Sequence, residues 1–508
     1  MKKRRGAIAR VLLAVFLLMC LVLPASVAYA ETPLSVDSIA AGVAADGIGS
    51  PFQHHSFVYD GTHWVLIYDS GSSSVLAYYS DDGLTWTPLM PGLFGYNSSG
   101  MTASETKGGQ FDTWLERDGN VVHIAYVNTS ANNSDILYAS YTVAGHTLTK
   151  VGLPPWNRAV AGVANISYRN PTICVNNNDS VFLTYGSVNN SISDVYVTTT
   201  NDSTDAIWLP EIGFPMSNLD GNVSLPAMYG SIIPLFTSTA NVSVQCANSN
   251  GSVYKILQVN ISWNGTAWNK GTTSTIDTSD WYLKTGFEWN YNAVSMHTPA
   301  NENDIAIQCG QYNGSLYRTF FNRRANESDA WGSSGVYARN FGQGAADDWY
   351  VGAMGIRSSA HNLVWSGWDM LGGSEHVYSA DYDNVTGDWT GPVVVYHDAD
   401  IPMVSTMANY FWDFGGDGEQ GFIYGTDTSD IVMYGLYGPA TTTASTIPAS
   451  VTAMAWIVIL VFGALICIIL LAYGASESIK GHSTEFVKIG AIGLLTLIIA
   501  AMIVEALL

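Results

Sequence analysis

The chain has 508 residues with 20 basic against 42 acidic side chains, a formal net charge of −22, yet only 12% of it is charged. A balance this acidic argues against nucleic-acid binding and against docking on anionic lipid, and it suits solubility outside a cell, cation binding or a basic partner. Five cysteines without a C-x-x-C or Cys/His cluster leave no complete disulfide framework and no zinc module.

In chain order, residues 1–30 open with Lys2, Lys3, Arg4, Arg5 and Arg10, continue through an apolar run from Val11 to Leu23, and leave on Ala28-Tyr29-Ala30. That pattern predicts a secretory signal peptide cut after Ala30; an uncleaved anchor is the alternative. Cys20 lies in that segment and Cys467 in a later apolar one, which leaves Cys174, Cys246 and Cys309. Buried free thiols are the expectation for these three, with one disulfide plus a leftover thiol as the alternative. Fifteen N-x-S/T sequons run from Asn97 to Asn384, a density expected of an exported, glycan-covered surface.

Residues 31–439 carry a repeat. Val242 to Lys255 reads VSVQCANSNGSVYK and Ile305 to Arg318 reads IAIQCGQYNGSLYR, a match at a shift of 63 residues. One position in the pattern recurs as Trp86, Leu148, Trp208, Trp268, Trp331 and Trp389, at intervals of 62, 60, 60, 63 and 58. Before each stand two short alternating segments, such as HWVLIYD and VLAYYS, which have the period of strands and are separated by polar turns. Four strands in about 60 residues with no helix between them predict the blades of a β-propeller. A string of immunoglobulin-like sandwiches would need more strands per unit.

A seventh unit begins at Ser405 and stops at Pro439 after three strands, while Leu34 to Ala45 is an apolar stretch without a unit of its own. The expectation is an all-β, seven-bladed propeller whose last blade is completed by residues near 34–45. The alternative is six blades with an extra hairpin. Residues 440–452 are a Thr/Ser-rich stalk. Within residues 453–508, Met454 to Tyr473 and Phe486 to Val504 are each long enough to cross a bilayer, and a transmembrane helical hairpin is predicted. Two buried core helices are the alternative. Gly463, Gly490 and Gly493 would let such helices pack closely and oligomerise. The expected location is a cell surface or envelope.

Ser80-Asp81-Asp82-Gly83-Leu84-Thr85-Trp86 resembles the Asp-box, S-x-D-x-G-x-T-W, of the sialidase-like BNR-repeat propeller superfamily. Asp383 to Trp389 and Asn264 to Trp268 look like decayed copies, and Arg169-Asn170-Pro171-Thr172-Ile173 resembles the strand entry common in these propellers. The resemblance implies structural work for Ser80, Asp81, Asp82, Gly83, Thr85 and Trp86: a carboxylate on turn amides, a glycine at positive φ, and a wedged aromatic. It also implies where chemistry would sit, at the entries of the innermost strands.

Those entries offer His54 and His55, Asp112, Arg169, Glu288 near Tyr291, and Asp347 or Asp348. The arginine triad of a sialidase is absent from them, since only Arg169 is an arginine. Asp348, Glu288 and Asp112 are the candidate catalytic carboxylates; His54, His55, Arg169 and Tyr291 are the candidate binding residues. The histidine pair could ligate a metal, or be a polar strand entry. Asp413, Asp417 and Glu419 in DFGGDGE could wrap Ca2+ with oxygen ligands, or form an acidic turn. Otherwise no cofactor is expected.

The sequence therefore supports a membrane-anchored extracellular module that binds a carbohydrate or a surface protein. A glycoside hydrolase using paired carboxylates, or a structural envelope protein, are the alternatives.

Overall fold

The structure is a computed structural model. It describes backbone at intervals between residues 35 and 437, the gaps falling mostly between strands, and side chains within residues 39–331. The signal segment, the stalk, the two apolar C-terminal segments, Glu288, Asp347, Asp348 and the 413–419 turn lie outside the described residues. Contacts divide the chain into two compact units, Met1–Pro439 and Ala440–Leu508. Among the described residues, no helix is long and apolar enough to cross a membrane.

The first unit is all-β and built as a succession of antiparallel sheets. After β1 (Ser35–Ala41) come β2 (His54–Tyr59), β3 (Thr62–Asp69), β4 (Ser74–Ser80) and β5 (Thr87–Gly95), paired in that order as the first sheet. The second holds β6 (Phe111–Leu115), β7 (Val121–Ser130) and β8 (Asn133–Ala144), edged by β9 (Thr147–Lys150) and β10 (Asn157–Val160). The third is β11 (Ser167–Val175), β12 (Val181–Asn189) and β13 (Ile192–Thr200). The fourth is β14 (Ala227–Leu235), β15 (Asn241–Ser249) and β16 (Tyr254–Trp263), edged by β17 (Trp268–Lys270) and β18 (Ser274–Thr275).

Two four-stranded sheets follow, β19 (Tyr291–Thr298) to β22 (Arg339–Gly344) with β20 (Asn301–Tyr312) and β21 (Tyr317–Arg324), then β23 (Tyr350–Arg357) to β26 (Trp389–Asp398) with β24 (Asn362–Leu371) and β25 (Ser374–Tyr382). Last are β27 (Met407–Phe411), β28 (Gln420–Thr426) and β29 (Ile431–Tyr437). Strand β1 pairs antiparallel with β29, Ser35 opposite Leu436 and Ala41 opposite Ile431. Strand β27 lies parallel to β2. The innermost strands neighbour one another in the order β2, β6, β11, β14, β19, β23, β27 and back to β2.

Burial explains the strand sequences. Strand β3 is buried along nearly its whole length and reads as one apolar run from Trp64 to Tyr68, as expected of a strand buried on both faces. Strand β4 alternates, with Val75 and Ala77 buried and their neighbours half-exposed. The core is accordingly a set of layers between sheets. One cluster joins Trp64 and Leu66 to Ile124 and Tyr141, and another joins Ile173 and Phe182 to Val244 and Ile261. Close approach has its own requirement at Gly230 on β14. A Cβ there would stand 2.7 Å from the Val195 side chain, and the Gly230 carbonyl accepts a hydrogen bond from Thr172 at 3.1 Å.

The matched segments around Cys246 and Cys309 fall on equivalent strands, β15 and β20, and both thiols are buried and outside any disulfide, as is Cys174. The recurring aromatic behaves less uniformly than the sequence pattern implies. Trp268 and Trp389 open β17 and β26, but Trp208 and Trp331 stand outside any strand. Among the described residues, the outer pairing of the third sheet is a bridge from Val197 to Met216. These tryptophans serve as wedges onto the preceding sheet instead. Trp208 meets Tyr138 at 5.2 Å, Trp268 meets Phe182 at 5.1 Å, and Trp331 Nε1–H donates to Ser274 Oγ at 3.4 Å.

The rim turns of the first and fourth sheets share one hydrogen-bond pattern. Asp82 Oδ1 accepts from the amides of Leu84 and Thr85, both at 2.8 Å, and from Ser80 Oγ at 2.9 Å, while Gly83 takes φ 66°. These donors, the Thr85 amide first, hold the Asp82 carboxyl down at about 2. Asp81 points elsewhere, to Thr62 Oγ1 at 3.0 Å and to His146 Nε2 at 2.8 Å on the neighbouring sheet. In the fourth sheet Asn264 Oδ1 accepts from the amides of Thr266 and Ala267 at 2.9 Å, with Gly265 at φ 95°.

The second sheet makes a tighter connection, with Ala144 paired to Thr147 across a two-residue turn in which Gly145 takes φ 51°. In the fourth sheet, Asn264→Ala should strip both turn amides of their acceptor and lower unfolding stability by about 0.5–1 kcal/mol in denaturant titrations. An unchanged stability would mean that the side-chain cap does not hold the turn.

Candidate functional site

The described candidate residues converge on the innermost strands of the first three sheets. His54 and His55 open β2, Asp112 is the second residue of β6, and Arg169 is the third of β11. Tyr291 opens β19, with its side chain outside the described set.

Asp112 is the centre of this layer and is 0% exposed. Its Oδ1 accepts from the His54 backbone amide and lies 3.0 Å from His54 Nδ1. Its Oδ2 accepts from the Ile173 amide at 2.6 Å. One carboxylate therefore ties β2 to β6 and β6 to β11. Burial pushes the Asp112 carboxyl up, while His54 and the two amides pull it back. His54 is 1% exposed and its ring stands edge-on to Trp114 at 5.5 Å.

His55 is also wholly buried. Its Nε2–H donates to the Phe111 carbonyl at 3.0 Å, and its ring lies against Phe111 with centroids 3.9 Å apart. Burial pushes His55 down to about 3, helped by the neighbouring His54 and opposed by the Phe111 carbonyl. Arg169 differs in being half-exposed. It sits where the β11 register shifts, next to Asn170 at φ 52°.

Several members of this layer had no place among the sequence candidates. Gln53 Nε2–H donates to the Pro171 carbonyl at 3.0 Å, and Gln110 Oε1 accepts from the Asn170 amide at 2.9 Å. Thr113 Oγ1 donates to the His54 carbonyl at 2.9 Å, and Thr172 carries the pattern on to Gly230. Their signal was present. Gln53, Gln110 and Asn170 are polar residues just ahead of or within the innermost strands, and they recur at close to the repeat period.

Chemically, the described layer is a set of inter-sheet clasps. A carboxylate that is sealed and already bonded at both oxygens has no lone pair aimed at a substrate. Among the described residues, no group of three or more His, Cys, Asp or Glu could hold a metal ion. Asp413, Asp417 and Glu419 lie outside that set.

No protein-family model matches the chain, and no curated protein matches it. Solved structures do. A polysaccharide lyase of family PL25, an ulvan lyase, is similar with a TM-score of 0.53 at 10% identity, over 79% of this chain and 95% of that one. A structure of such a lyase bound to -[GlcA(1-4)Rha3S]- gives 0.51 at 11% identity, with the same coverage. A Hadza microbial sialidase gives 0.42 at 8% identity over 72% of this chain and 73% of that chain. At these identities the likeness to the lyases is one of fold. The chain is an all-β protein of β-propeller-like architecture.

Two outcomes follow from the clasp. Asp112→Ala leaves two buried amides without their acceptor and should cost about 3–5 kcal/mol of stability, read by chemical denaturation. A loss below about 1 kcal/mol would mean the carboxylate is not the tie described. The second outcome concerns pH. An unfolded chain protonates His55 near its ordinary value, and the folded chain resists until about 3. The unfolded state thus binds the extra proton in between, so the contribution is complete above about 6.5 and is lost as pH falls toward 3. His55→Phe should flatten the denaturation midpoint against pH over that window.

Proposed function

We propose that this chain is a carbohydrate-binding β-propeller, held on the outer face of a membrane, and that it recognises its ligand without cleaving it. The observation that carries this reading is the sealed carboxylate. Asp112 is spent on backbone amides of two neighbouring sheets and is closed to a substrate, while Arg169 on β11 is half-exposed. Support for the ligand class comes from the fold, which resembles a polysaccharide lyase seen with an oligosaccharide bound. We infer seven blades. The pairing of β1 with β29 and of β27 with β2 supports a ring whose last blade is completed by the N-terminal strand.

The signal segment, the stalk and the two apolar C-terminal segments support the surface location. Half-exposed Arg169 in an otherwise acidic protein favours a ligand that carries a carboxylate or sulfate group.

The test is binding and turnover by the full chain in detergent, against neutral and uronate-containing polysaccharides. Saturable binding without new reducing ends or unsaturated products is expected. Arg169→Ala should weaken binding of the acidic members roughly tenfold. Turnover abolished by Glu288→Gln or Asp348→Asn would replace this reading with a glycoside hydrolase, and the absence of binding to any carbohydrate would overturn it.

A further inference from the structure

The sequons that the structure describes are not equivalent, and one pair separates them. Asn260 and Asn264 both head N-x-S/T and lie four positions apart, at the end of β16 and in the turn that follows it. Asn264 is exposed, as are Gly265 and Thr266. Its Oδ1 accepts from the Thr266 amide, the Thr266 hydroxyl and the Ala267 amide, each at 2.9 Å. Three donors on one oxygen fix the amide plane with Oδ1 toward the turn, which directs Nδ2 away from it. Attaching a sugar to Nδ2 leaves all three bonds intact. The adjoining Trp263 is 40% exposed, and a sugar on the next residue would shield that apolar surface.

Asn260 is placed differently. It pairs with Ser243 of β15 on an interior strand and is half-buried. Its Oδ1 accepts from Gln258 Nε2, and Gln258 in turn meets Ser243, Ser274 and Arg324 of the next sheet. A sugar on Nδ2 would leave that Oδ1 bond intact, so what separates Asn260 is its place: half-buried within a paired strand, with the Gly271 amide bonded to its carbonyl at 2.8 Å, where Asn264 stands in an exposed turn.

We propose that Asn264 is an N-glycosylation site of the folded protein and that Asn260 is not. The inference rests on the export reading above. In the reaction, Nδ2 of Asn264 forms a bond to the anomeric carbon of a lipid-pyrophosphate-linked oligosaccharide. The lipid pyrophosphate leaves with the bonding electrons, Nδ2 loses one proton, and nothing is oxidised or reduced. The rim turn then carries the glycan outward, away from the inner strands.

The experiment takes the full chain from cells whose secretory pathway transfers such oligosaccharides, extracts the folded protein, and cleaves it with trypsin. Lys255 and Lys270 bound a peptide, 256–270, that holds both sequons. Site-resolved mass spectrometry should find the glycan on Asn264 and Asn260 bare. Asn264→Asp should lose the glycan mass and keep the parent's denaturation midpoint once the parent is deglycosylated, because a carboxylate oxygen caps the sister turn at Asp82 in the same way. A glycan on Asn260, or a bare Asn264 alongside modified Asn178 or Asn313, overturns the proposal. So does a chain without any glycan; an N-terminus beginning after Ala30 then shows that export stands and only the glycan assignment falls.

Discussion

Three neighbouring sheets of this protein meet at one buried carboxylate. Asp112 receives a backbone amide from the sheet before it and another from the sheet after it, at sequence separations of 58 and 61 residues. Apolar packing between sheets is strong but non-directional, and it would tolerate small slips of one face across another. A sealed carboxylate does not. An amide that fails to reach it is left unsatisfied in a low-dielectric layer, so the innermost strands have to arrive together. Thr172 and Gly230 extend the same logic to the fourth sheet, where a glycine is required because the sheets come so close.

The outer rim is organised by weaker, local bonds. Asp82 and Asn264 do the same work with different chemistry, each accepting the amides two and three residues further along the chain, across a glycine at positive φ. The second sheet connects more tightly: Ala144 pairs with Thr147 across a two-residue turn, and Thr147 Oγ1 donates to the Ala144 carbonyl at 2.7 Å. A glycine at positive φ is common to all three connections, whereas the side-chain acceptor goes with the longer loops. The rim thus varies in length and capping residue from sheet to sheet, which leaves its residues open to other uses.

Much of the architecture was legible because its signals are periodic. Alternation marked the strands, the shift of 63 residues placed Cys246 and Cys309 on equivalent strands, and the incomplete last unit pointed to the orphan stretch that forms β1. The tryptophan period was read too literally. It marks a wedge against the preceding sheet, and Trp208 and Trp331 can fill that role without opening a strand. The inner polar residues were harder. In the run Phe111-Asp112-Thr113-Trp114 the aspartate is visible as an interruption, but nothing local says whether its partner is a substrate or the amide of Ile173. That distinction depends on burial and on residues some sixty positions away. Gln53 and Gln110 were missed for the same reason, since an amide side chain at a strand entry announces neither role.

This has a consequence for how the fold relates to function. A propeller needs polar residues at its inner strands simply to clasp neighbouring sheets, so polarity there is weak evidence of chemistry. Exposure is the better discriminator. His54, His55 and Asp112 are sealed and bonded to protein, whereas Arg169 keeps part of its surface open at a point where the strand register breaks. A ligand-recognising surface on such a scaffold must be assembled from the residues the clasps leave over. Those lie at register breaks and in the segments between strands, where sequence can vary without loosening the ring.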